Sequence, residues 1–217
     1  MRGLSGEGGG SMKVLVACEF SGMVRDAFIA KGHDAVSCDL LPTERPGPHI
    51  QDDVLNHLNE CWDAMVGHPQ CTYNCNSGVR WLFKKDGTRN EPRWEKLRES
   101  QEFFYELLNS RRLHNISKVC IENPIPHKYF YDNGLIEEYD QKIQPWMFGN
   151  YETKATCLWL RGLPPLTPTA GFKDRRFVKN RMQRVHNEPP GPERWKNRSR
   201  TLPGLAAAMA DQWGALA

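Results

Sequence analysis

Four clusters of chemically capable residues are spaced along this 217-residue chain, each at the end of a short apolar run. Cys18-Glu19-Phe20-Ser21-Gly22 follows the run Lys13–Ala17. Its single glycine lets a ligand's carboxylate or backbone approach the N–H groups of a helix that starts there. Asp39 ends a second run, where an acid can accept both hydroxyls of a ribose or serve simply as a cap or turn residue. His68-Pro69-Gln70-Cys71 follows a third. A cysteine at a strand end, near a histidine, can be a nucleophile of lowered pKa, although an isolated cysteine is as readily small buried filler. Glu122-Asn123-Pro124 ends a fourth run. A carboxylate there is expected to be desolvated and its pKa raised, which suits a proton donor to a base nitrogen; the plainer alternative is a salt-bridged structural residue.

Two of these clusters together suggest a type of ligand. The first turn has neither a full glycine fingerprint for a dinucleotide nor the lysine of a phosphate-cradling loop. With Asp39 it suggests an adenosine-containing ligand with little demand for phosphate binding, which S-adenosylmethionine meets better than NAD. His68, Cys71 and Cys75 offer zinc-ligand types within eight residues but lack a second spaced pair, so no metal is expected.

The elements that must hold these clusters follow from the apolar pattern. Val14 to Cys18 reads as a strand buried on both faces. Val24, Ala27, Phe28 and Ala30 have helical spacing, and Lys31-Gly32 ends that helix. Ala35–Asp39 is a second strand, Trp62–Gly67 a third and Lys118–Glu122 a fourth. The polar stretch from Thr72 to Glu91 is expected to be a long functional loop. Trp94, Leu97, Phe104, Leu107 and Leu108 predict a helix over 92–112, with Pro92 in its first turn. Lys142–Trp146 and Thr156–Leu160 are expected to pair as a late antiparallel hairpin. Leu205, Met209 and Trp213 predict a closing helix. Alternating strands and helices predict an α/β, doubly wound Rossmann-like sheet that is mostly parallel, with ligands at the carboxyl ends of its strands.

Composition narrows the class. The apolar fraction of 39% excludes wholesale disorder, and no run approaches the length of a membrane span. Seven cysteines, several in buried-strand contexts, and no signal peptide suggest a reduced, cytoplasmic chain without a membrane. Residues 1–11 hold five glycines and read as a flexible linker or cloning remnant. The net charge of +3 conceals an asymmetry. Residues 173–200 carry ten basic and three acidic side chains, so the rest of the chain is net acidic. Such a strip suits nucleic acid, or is a solvated loop.

The order of these segments resembles that of DNA cytosine-C5 methyltransferases, and especially small phage- and prophage-type DNA methyltransferases. The residues that carry the likeness are Phe20-Ser21-Gly22, Asp39, Asp52-Asp53-Val54, the His68–Gly78 segment, Glu122-Asn123 and Lys154–Pro164. The resemblance spans about residues 12–217. It implies that Cys71 attacks C6 of cytosine, that Glu122 acts at N3, and that Asn123 places the cysteine loop. It implies a cofactor, S-adenosylmethionine, lying against Cys18, Glu19, Phe20, Ser21, Gly22 and Pro69, with Asp39 at the ribose and Asp53 at the adenine amino group. DNA is the implied partner, as a single strand or with its target base flipped out. Lys154, Lys173, Arg175, Arg176, Lys179, Arg181 and Arg184 are expected to meet its phosphates, and no obligate protein partner is inferred. The implied organisation is a catalytic domain over 12–165, a basic, Pro-rich nucleic-acid-binding segment over 166–200 and a C-terminal helix over 201–217 that packs back on the domain.

Two departures keep other functions open. Gln70 separates Pro69 from Cys71, where the family has an adjacent Pro-Cys pair. The same four residues also overlay the motif of amino methyltransferases, which methylate N4 of cytosine or N6 of adenine without a nucleophile. The separate target-recognition domain is absent or reduced to the basic strip. A catalytically inactive nucleic-acid-binding module is the third alternative.

Overall fold

The structure, a computed structural model, describes residues 10–170 and 183–217. Its centre is a seven-stranded sheet in the order β3-β2-β1-β4-β5-β7-β6. The strands are β1 (Lys13–Ala17), β2 (Asp34–Asp39), β3 (His49–Gln51), β4 (Ala64–Gly67), β5 (Lys118–Pro124), β6 (Gln141–Ile143) and β7 (Thr156–Arg161). The first five pair in parallel, while β7 runs antiparallel to both β5 and β6. The mostly parallel, doubly wound sheet with a late antiparallel hairpin is therefore present. β7 is inserted between β5 and β6, and so belongs to a three-strand antiparallel edge.

The alternation of side chains explains the three layers. Val14 and Val16 of β1 point into one apolar cluster, and Leu15 and Ala17 point into another. The first is covered by α1 (Met23–Ala30) and the C-terminal helix α6 (Pro203–Gly214). Leu205, Met209 and Trp213, one helical face, are all buried there. The second cluster is covered by α2 (Glu91–Leu108), which contributes Trp94, Leu97, Phe104 and Leu107. Buried Trp159 and Trp213 donate their indole N–H groups to carbonyls of Glu137 and Pro164, so their large apolar surface is buried without stranding a donor.

The remaining helices are short: α3 (Ser110–Leu113), α4 (Arg184–Asn187) and α5 (Arg194–Ser199). The helix expected over 92–112 breaks at Asn109, whose amide side chain turns back to the carbonyl of Tyr105. The loop expected from Thr72 onwards contains a 3-10 turn at Asn76–Leu82. β3 and a 3-10 turn at Val54–His57 carry no apolar run and lie in a stretch for which the sequence predicts no element. Among the described residues, no helix is long and apolar enough to cross a membrane.

The winding sense changes between β1 and β4. The chain proceeds outward through β2 and β3 on one side, and through β5 on the other. The loops at the carboxyl ends of these strands splay apart at that point and leave a crevice.

Candidate active site at the sheet switch point

A cavity of about 1060 Å³ occupies this crevice. Its wall takes residues from the carboxyl ends of the first five strands, from α2 and from the segment between α5 and α6. The volume is at the upper end for a small-molecule pocket, enough for a nucleoside-sized ligand and a second ring. All four sequence clusters reach it. Cys18, Glu19, Phe20, Ser21, Asp39, Asp53, Pro69, Cys71, Glu122, Asn123 and Lys154 line it.

The side beneath β1 and β2 is held by its own polar groups. Gly22 stands before α1 at φ 69°, and a Cβ there would lie 2.5 Å from the Arg25 guanidinium. The helix N-terminus was expected to be open to a ligand, but Glu19 occupies it. Its carboxylate accepts the backbone N–H groups of Val24 at 2.8 Å and Arg25 at 3.2 Å, and the Ser21 hydroxyl at 3.0 Å. A carboxylate suits this place because the first N–H groups of a helix lack partners inside it. Fully buried Arg25 pairs with Asp26 and donates to the carbonyls of Arg45, Pro46 and Pro48, which fastens the loop after β2. No sequence pattern marked it.

Asp39 accepts the N–H of Leu41 at 2.9 Å, and burial raises its pKa. Asp53 accepts the N–H of Leu55 at 3.0 Å and so caps the 3-10 turn. Both acids thus have local structural work and still border the cavity. Leu40, 72% exposed, and Trp195, 54% exposed, sit on the same wall, and Trp195 lies 6.0 Å from Phe20, centroid to centroid. Carboxylates beside uncovered apolar side chains fit a ligand with hydroxyl groups and a flat ring. Cys18 adopts φ 57°, a left-handed conformation costly for a residue with a side chain.

The side beneath β4 and β5 is fastened through the backbone, while its side-chain atoms are left open. Asn123 donates its amide to the Pro69 carbonyl at 2.9 Å, tying the cysteine loop to β5. Arg93 donates to the Thr72 carbonyl at 2.8 Å and stacks 4.3 Å from the Tyr73 ring. His127 meets the Tyr73 carbonyl at 2.7 Å, and buried Asn74 accepts from Ser100. Glu122 lies 3.3 Å from His68 Nδ1. His68 Nε2 and Asn123 Oδ1 are both buried without a hydrogen-bond partner among the described residues.

The electrostatics reverse two expectations. Burial alone would raise the Glu122 carboxyl, but Lys154, His68 and Thr156 outweigh it and hold its pKa at about 2. Glu122 is thus a carboxylate at rest, not a ready proton donor. Cys71 is not a thiol of lowered pKa. Its hydrogen bond to Cys75 and its burial push it well above the usual thiol value. Cys75 takes the opposite shift, to about 5, chiefly through the bond from Cys71, with Ser77 and the start of the 3-10 turn assisting against burial.

Other candidates fall away from the cavity. Arg184 bonds Glu152 at 2.7 Å, so its charge is met within the chain. Lys173, Arg175, Arg176, Lys179 and Arg181 lie outside the described residues. Lys154 faces the Glu122 side of the cavity. No group of three or more His, Cys, Asp or Glu side chains among the described residues could hold a metal ion. Sequence reasoning missed Trp195, Arg198 and Arg200, which line the mouth from a segment it treated only as charge. Trp195 interrupts that basic run, a signal that could have singled it out.

No family model and no curated protein matches the sequence. Among solved structures, the chain is similar to a protein from E. coli described as a DNA modification methyltransferase encoded within a prophage, at 12% identity and a TM-score of 0.45. The likeness covers 69% of this chain and 46% of that one, so the chain spans about half the length of that protein. So distant an overlap carries no weight for fold or function.

Proposed function

We propose that this protein methylates C5 of cytosine in DNA, using S-adenosylmethionine. The observation that carries the proposal is the convergence of Cys71 and Glu122. They leave the ends of two adjacent parallel strands and border one cavity, with the Asn123 amide fastening the cysteine loop between them.

S-adenosylmethionine, when bound, supplies an electrophilic methyl group. The residues that would hold it are Asp39 at its ribose, Asp53 at its adenine amino group, and Phe20, Ser21 and Gly22 along its methionine end, with the apolar wall of Leu40 and Trp195 against its ring. Cys71 bonds to C6 of the flipped base, and the electron pair of the C5–C6 double bond becomes available at C5 to take the methyl group. Glu122 enters as a carboxylate beside N3 and shares a proton with it as negative charge builds there. Lys154 and His68 keep that carboxylate charged between turnovers. After transfer the C5 proton leaves to solvent, and the sulfur departs from C6 as the double bond re-forms. The Pro69 carbonyl already accepts from Asn123. That favours C5 chemistry over amino methylation, which needs a carbonyl of this loop for the substrate amino group.

The test is to incubate the protein with labelled S-adenosylmethionine and cytosine-containing DNA, then hydrolyse the DNA and identify the labelled base. 5-Methylcytosine is expected, together with a covalent adduct on 5-fluorocytosine DNA that Cys71→Ser abolishes. N4-methylcytosine or N6-methyladenine would replace the proposal with amino methylation. Binding without transfer would leave a nucleic-acid-binding module.

A further inference from the structure

The nucleophile proposed above has a second cysteine behind it that the reaction leaves unused. Cys71 borders the cavity, whereas Cys75 is buried and stands apart from it. The Cys75 N–H bonds the Cys71 carbonyl at 3.2 Å, a single helical turn that brings the two side chains to the same face. The two sulfurs share a hydrogen bond. Cys75 Sγ also lies 2.9 Å from the Ser77 hydroxyl and caps the 3-10 turn at Asn76–Leu82, where free N–H groups face a negative charge. A backbone bridge between Cys75 and Pro126 ties the arrangement to the chain after β5.

We propose that Cys75 is the proton acceptor for Cys71: as the Cys71 sulfur bonds to an electrophilic carbon, its S–H proton passes to the Cys75 sulfur. The S–H electron pair forms the new S–C bond, and a lone pair on Cys75 takes the proton. With cytosine, the displaced π pair moves into the ring. With an alkyl halide, the halide leaves with its bonding pair. One negative charge moves from Cys75 to the ring or to the leaving halide, so the step balances without any further reactant.

The surroundings place the charge where this step needs it. Ser77 and the turn N–H groups solvate Cys75, while Glu122 opposes and Lys154 favours a charge on Cys71. His127, packed on the Cys75 side, has its pKa lowered by burial, and its Nδ1 lacks a partner among the described residues. The resting pair is thus a cavity-side thiol backed by a thiolate. The cavity-side sulfur keeps its proton until an electrophile arrives, which protects it from idle oxidation.

The inference rests on Cys71 being the nucleophile, but its test needs neither DNA nor cofactor. Iodoacetamide modification of Cys71, followed by peptide mass spectrometry across pH, reads the pair directly. The pair holds one proton throughout the neutral range, so the wild-type rate should be nearly flat from about pH 6 to about pH 8. Cys75→Ser should make Cys71 behave as an isolated thiol, its rate rising about tenfold per pH unit. Cys75→Asp, which restores an acceptor, should flatten the profile again. A wild-type rate that itself climbs about tenfold per unit, or label on Cys75 in place of Cys71, would overturn the proposal. The wild-type profile decides the matter even if a variant fails to fold. A failed methyl-transfer assay leaves this readout intact, so the two proposals can fail separately.

Discussion

The two halves of the cavity are built from the same kind of part, the carboxyl ends of adjacent parallel strands, yet they treat their polar groups in opposite ways. Beneath β1 and β2, each acid is already engaged. Glu19 caps α1, Asp39 holds the turn to Leu41 and Asp53 caps the 3-10 turn. Beneath β4 and β5, backbone carbonyls are tied down by Asn123, Arg93 and His127, while His68 Nε2 and Asn123 Oδ1 stay buried and unpartnered among the described residues. A buried polar atom without a partner is costly, on the order of 1–3 kcal/mol, unless something arrives to satisfy it. The difference separates a wall that shapes a pocket from a wall that waits for a reactant.

Removing the Glu19 cap tests that division with the largest effect. Glu19→Ala strands two buried N–H groups at the start of α1 and should lower stability by about 3 kcal/mol in urea unfolding, with Glu19→Gln costing about 1 kcal/mol because an acceptor oxygen remains. Near wild-type stability combined with lost cofactor binding would move Glu19 to the waiting wall and erase the contrast.

A smaller effect, confined to acid, probes the other half. The Glu122 carboxyl is depressed from 4.5 to about 2 in the folded protein. A depressed carboxyl contributes stability above its unfolded value, and that contribution fades as pH falls towards the folded value. The stability difference between wild type and Glu122→Gln should therefore be greatest above about pH 4.5 and shrink towards about pH 2. A difference independent of pH would mean that Glu122 is not charged at rest. The waiting wall would then hold a proton donor, as the sequence alone suggested.

The contrast also explains what the sequence could reveal. Strands buried on both faces announce themselves as short apolar runs, so β1, β2, β4, β5 and β7 and the residues that follow them were legible. β3, with three half-buried or exposed residues, has no such run. The insertion of β7 between β5 and β6 is a long-range choice that no local pattern encodes. The residue types at the site were legible because strand order places them at one switch point. Their protonation was not. Burial could be anticipated for Glu122, but Lys154 and His68 approach it only through the fold. The same holds for Cys71, whose partner four residues on decides which sulfur keeps the proton. Arg25 and Trp195 were missed because the groups they meet lie far away along the chain.

The mouth of the cavity offers the smallest effect and the finest distinction. Arg200, just after α5, forms two bonds to Glu44 in the loop after β2, at 2.7 and 2.6 Å. Both side chains are about one-third exposed, so the pair should add no more than about 1 kcal/mol to global stability. Its position matters more than its strength, because it joins the segment that carries Trp195 to the wall that carries Asp39 and Leu40. Glu44→Gln should leave the urea midpoint almost unchanged and yet speed proteolysis between α5 and α6, since local opening samples contacts that global unfolding averages away. The exchanged pair, Glu44→Arg with Arg200→Glu, should restore resistance. If cleavage is equally slow in all three proteins, the mouth is held by packing alone. The structured wall then ends at Asp39, and Trp195 belongs to neither half.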